Sequence, residues 1–81
     1  MTFEELQRRL VLHLQVLVRS GELTERGLAR ITRVSQPHMH NVLKGKRFFS
    51  VQTADTVLRE LRMDVLDLID PGELLKWRQR D

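Results

Sequence analysis

The 81 residues contain no cysteine, which excludes a disulfide framework, a thiolate zinc site and a cysteine nucleophile. Stability has to come from packing. Long apolar runs are also missing: the longest, Leu10 to Val18, is interrupted by His13 and Gln15 and falls far short of the ~20 residues that span a bilayer. The chain opens Met-Thr-Phe-Glu-Glu, with acid where a signal or transit peptide carries base, so a soluble, cytoplasmic protein is expected. No segment alternates convincingly with period two, and neither an internal repeat nor a low-complexity tract is present. What remains is a globular composition, 41% hydrophobic and 31% charged, in a length that suits one domain.

Carboxylates are absent from one long stretch. Residues 26 to 47 hold Arg26, Arg30, Arg33, Lys44, Lys46 and Arg47, together with His38 and His40, and not one Asp or Glu. That window alone carries +6, whereas residues 1–25 and 48–81 are net acidic, at −1 and −2, so the overall +3 conceals it. A basic stretch of this length in an otherwise mixed chain suits a surface that faces a polyanion, although a solvated basic face would look the same by charge alone.

Helical periodicity dominates and predicts an all-α fold. Thr2 with Glu5 is a capping-box signature, and Phe3, Leu6, Leu10, Leu14 and Leu17 recur at helical spacing up to Gly21. Thr24 caps a second helix with Leu28, Ala29 and Thr32 inward. Ser35, with Pro37 just inside, opens a third that carries Met39, Val42 and Leu43 and stops at Gly45. Ser50 caps a fourth with Ala54, Val57, Leu58 and Leu61, and Asp64 a short fifth with Val65, Leu66, Leu68 and Ile69. Asp70-Pro-Gly-Glu73 opens a terminal helix through Leu74, Leu75 and Trp77.

Two short helices joined by a few residues, over residues 24–44, have helix-turn-helix spacing. That geometry requires a small residue where the helices cross, met by Ala29. Val34 plugs the turn, and Met39 and Val42 line the inner face of the second helix. Opposite them lie Pro37, His40, Asn41 and Lys44, with Gln36 in the first turn. Asn and Gln can pair with the adenine edge, and Lys suits guanine or phosphate.

The run Leu23-Thr-Glu-Arg-Gly-Leu-Ala-Arg-Ile-Thr-Arg-Val-Ser-Gln, continuing through Asn41-Val-Leu-Lys-Gly-Lys-Arg and Ser50 to Leu61 and Leu68-Ile69, resembles the lambda-repressor and Cro-like helix-turn-helix (XRE) family. The resemblance implies a five-helix DNA-binding domain over residues 1–69, with residues 70–81 as an added C-terminal helix for packing or dimerisation. It further implies a recognition helix at 36–43 in the major groove of double-stranded DNA. Carried over residue by residue, Gln36, Pro37, His40 and Asn41 contact base edges, while Arg26, Ser35, Lys44, Lys46 and Arg47 contact phosphates. There are departures. Glu25 stands where the family usually has Gln and would repel a phosphate, which leaves Arg26 as the substitute; Arg33 and Arg62 stand at turn positions usually held by Gly; and Phe49 stands where Pro is customary.

Two readings of function follow. In the first, the chain is a transcriptional regulator that occupies a palindromic operator as a homodimer. In the second, it is a protein-interaction module, such as a toxin-neutralising antitoxin or an adaptor. The surplus apolar pair Leu12 and Val16, on the side of the first helix away from Leu6, Leu10 and Leu17, is the candidate dimer or partner surface, with Leu74 and Trp77 as its complement. His38 and His40 are two apart on a helix and lack a third ligand, so no metal is expected. His13 reads as a partly buried structural histidine. No nucleophile accompanies the spaced Asp64, Asp67 and Asp70, so neither an enzyme nor a cofactor is expected.

Overall fold

The computed structural model of the chain describes residues 2–69 and 72–73. Four α-helices follow in order: α1 (Phe3–Arg19), α2 (Glu25–Thr32), α3 (Gln36–Leu43) and α4 (Val51–Glu60), then a 3-10 helix (Val65–Leu68). Each α-helix starts where a hydroxyl can take an otherwise orphaned amide. Thr2 accepts from Glu5 N, Thr24 from Gly27 N, Ser35 from His38 N and Ser50 from Thr53 N. Gly27 has a local reason within α2, since a Cβ there would stand 3.1 Å from the capping Thr24 Oγ1. Among the described residues no helix is long and apolar enough to cross a membrane.

The helix ends share one device. α3 closes with Gly45 at φ +78°, Lys46 N donating to Asn41 O and Gly45 N to Val42 O, a left-handed turn that returns two orphaned carbonyls to the backbone. α2 and α4 close the same way with arginine in the left-handed position, Arg33 at φ 60° and Arg62 at φ 55°. Val34 N then reaches Ala29 O, and Met63 N reaches Leu58 O. Both departures from Gly therefore adopt the strained conformation and do not alter the turn.

Leu10, Leu14, Leu28, Ala29, Val34, Met39, Val42, Phe49, Ala54, Val57 and Leu68 form the core. α2 packs chiefly on α3, while α1 and α4 support the pair. The core includes all four residues the tight α2–α3 connection requires, Ala29, Val34, Met39 and Val42. Thr32 is fully buried and harmless there, because its hydroxyl donates to Leu28 O.

Several expectations need correction. The fifth element is a single 3-10 turn: Asp64 accepts from Leu66 N and Asp67 returns a bond to Asp64 N, which satisfies the short segment without an α turn. Only Leu68 of that segment is buried, and Val65 and Leu66 are exposed. His13 is exposed, because the buried arc of α1 is centred between Gln7, Leu10 and Leu14 and leaves His13 beyond its edge. Phe3 is half exposed although it shares the face of Leu10 and Gln7, because it is the first residue of the helix. The expected terminal helix, including Leu74, Leu75 and Trp77, lies outside the described residues apart from Gly72 and Glu73.

Candidate nucleic-acid interface

α3 is held on the body of the protein by two glutamine side chains from α1. Gln15 Nε2 donates to Leu43 O at 2.7 Å, at the last turn of α3. Buried Gln7 clasps the connector after α3, its Nε2 donating to Phe49 O and its Oε1 accepting from Phe49 N. Buried Phe49 meets the His38 ring edge-on at a centroid distance of 5.9 Å. Met39 and Val42 are fully buried beneath, so α3 has one fixed face inward and one presented outward.

On the outward face, Gln36, Pro37, His40 and Asn41 line one open depression of about 320 Å³, and Glu25 closes its side. The four candidate base-contacting residues are thus brought together. The side-chain amides of Gln36 and Asn41 have no hydrogen-bond partner among the described residues, unlike the amides of Gln7 and Gln15. Lys44 is exposed at the end of the same helix, and Lys46 and Arg47 are exposed just beyond it. Arg26 is exposed in the first turn of α2, while Ser35 is engaged as the α3 cap.

None of the six cations between residues 26 and 47 forms an ion pair with a described residue. α1 behaves differently: Arg8 pairs with Glu4 at 2.8 Å and Arg9 with Glu5 at 3.3 Å. Arg9 also grips Glu73 with both guanidinium nitrogens, at 2.8 and 3.0 Å, and donates to Leu68 O. Its hydrogen bond to Glu73 raises the Arg9 pKa above its ordinary value.

One contact on the outward face was not legible in the sequence. His40 Nδ1 lies 2.9 Å from Glu25 Oε1 across the α2–α3 crossing. The carboxylate at the head of α2 is therefore engaged by a residue of the outward face of α3. Fifteen residues separate the two, and only the crossing of α2 and α3 joins them.

Arg47 also borders a second depression, of about 280 Å³, with Arg8, Val11, Leu12 and Phe48 among its lining. Leu12, Val16 and Phe48 are exposed to 59%, 58% and 59%. Two of the four residues expected at a dimer or partner surface are therefore uncovered by the described residues, and Phe48 joins them; Leu74 and Trp77 lie outside those residues. Comparison with protein-family models, curated proteins and solved structures finds no match for this chain.

Proposed function

We propose that the chain is a sequence-specific double-stranded DNA-binding protein of lambda-repressor type, a transcriptional regulator that acts by occupying an operator and not by catalysis. In this reading α2 and α3 form the helix-turn-helix, and residues 36–43 enter the major groove. The observation that carries it is the chemistry of one face. Two side-chain amides, Gln36 and Asn41, are unengaged by described residues, and they lie within a run of six cations that form no ion pair with a described residue and have no intervening carboxylate. Amides can pair both to donors and to acceptors on a base edge, while unpaired cations suit phosphates. Pro37 contributes apolar contact, most naturally to a thymine methyl. Arg26, Lys44, Lys46 and Arg47 contact phosphates, and Ser35 stiffens the head of α3.

Selection of bound duplexes from a random pool tests this directly. Asn41→Ala and Gln36→Ala should weaken the selected site by about 1–3 kcal/mol while barely affecting random DNA. Lys46→Ala should weaken both and reduce the salt slope by about 1. Absence of duplex binding at low salt overturns the reading.

A homodimer belongs to the same proposal, because two recognition helices about 34 Å apart read successive half-sites of a palindrome. A second reading, a protein-interaction module such as an antitoxin or adaptor, is favoured by the exposed Leu12, Val16 and Phe48. Leu12→Glu should abolish self-association or partner binding without costing core packing, since Leu12 is outside the core; the duplex selection separates the two readings, because only the first requires a preferred site.

A further inference from the structure

We propose that Glu25 and His40 act as one reading unit, in which Glu25 fixes the tautomer of His40 so that ring Nε2 accepts a hydrogen bond from a base amino group, adenine N6 or cytosine N4. This rests on the DNA-binding reading above. The 2.9 Å contact commits Nδ1 to the Glu25 carboxylate. A carboxylate only accepts, so in the neutral ring the proton sits on Nδ1 and Nε2 keeps its lone pair. Nε2 is on the far side of the ring, and no described residue bonds it. The side chains of His40 and Glu25 are 49% and 29% exposed, so the contact is open to the depression that they share with Gln36, Pro37 and Asn41.

The polarity of this unit is what discriminates. Gln36 and Asn41 can each donate or accept, but Nε2 of His40 only accepts. In the major groove the donors are the amino groups of adenine and cytosine, whereas guanine N7 and O6 and thymine O4 are acceptors that would face acceptors. Glu25 is thus a positioning residue: it touches no base in this scheme and acts through His40. Its carboxylate, which would repel a phosphate, has a function at the place where the basic window begins.

Two measurements test the proposal. In the free protein at about pH 8, nitrogen-15 shifts of the His40 ring should report the proton on Nδ1, and Glu25→Gln should move it substantially to Nε2. In random-pool selection at the same pH, one position of each half-site should be enriched in adenine or cytosine, and the counts decide which. Glu25→Gln and His40→Ala should each reduce that preference roughly tenfold, with positions read by Gln36 and Asn41 retained and thermal unfolding of the free protein unchanged. A proton on Nε2 in the wild type, a doubly protonated ring, enrichment of guanine or thymine there, or an unaltered preference in both variants overturns the reading unit alone. A wild-type pool without sequence preference overturns the DNA-binding reading and the unit with it.

Discussion

Gln7 shows how much a single polar side chain can organise. It is 4% exposed on a face that otherwise buries leucines, and its amide satisfies both backbone groups of Phe49. Gln7→Leu keeps the volume but leaves a buried N–H and C=O unpaired, at about 1–3 kcal/mol each. We expect a loss of about 2–3 kcal/mol in urea unfolding, more than a surface glutamine would cost. Arg62 tests the left-handed turns, since it stands outside the basic window. Relief of about 1–2 kcal/mol of left-handed strain in Arg62→Gly is offset by about 0.5–1 kcal/mol of added freedom in the unfolded chain. A net gain of roughly 0.5 kcal/mol should appear in the same assay, and a loss would mean that Arg62 makes a compensating contact. The role of Gln7 is not legible in the sequence, because glutamine on a helix reads as surface; Arg62 stands out only through the resemblance, as a residue at a turn position usually held by Gly, and the sign of its φ follows from the backbone closure around it.

The elements were largely legible because their signals are local. Thr24, Ser35 and Ser50 mark helix starts by a hydroxyl at the right place, and Gly45 marks an end by tolerating positive φ. The short fifth element is the exception, because apolar spacing over five residues does not separate an α turn from the 3-10 turn that forms there. α3 is the element on which the proposed function depends, and its first turn hangs on one cap. Ser35→Ala should cost about 1 kcal/mol and speed hydrogen exchange at the His38 amide, which Ser35 Oγ accepts from at 3.3 Å. Because Met39 and Val42 still anchor the helix, the remaining amides of α3 should keep their protection. Uniform loss of protection would show that the cap, and not the core, holds α3 in place.

For the whole molecule, the question is what covers α1. Glu73 is fixed on Arg9, and Arg9 shares a helical row with Val16, seven residues on, beside Leu12. Glu73 is thus held on the side of α1 that carries the uncovered apolar pair. Trp77 is the only tryptophan, so its fluorescence reports on that region without labelling. If residues 74–81 cover Leu12 and Val16 within one chain, emission should be blue-shifted and independent of concentration, and Leu12→Glu should shift it red. If two copies share the surface, the shift should appear with concentration, alongside a doubled mass in light scattering. A monomer at micromolar concentration whose Trp77 emission is unaffected by Leu12→Glu would overturn both arrangements.

The sequence by itself determined the all-α class, the order and caps of α1 to α4, and the residues on the outward face of α3. These follow from short-range periodicity, capping chemistry and charge distribution, all within a few residues of one another. The tertiary structure alone decided that Gln7 and Phe49 are core partners, that His13 is exposed and that His38 and His40 turn to different neighbours, Phe49 and Glu25. It also changed the meaning of the basic window, whose boundary in sequence excludes Glu25 while the crossing of α2 and α3 sets that carboxylate against its central histidine. Contacts of this kind depend on the angle and register at which two helices pack, which are set by Ala29, Val34, Met39 and Val42 together and are not encoded in the spacing of the residues that meet.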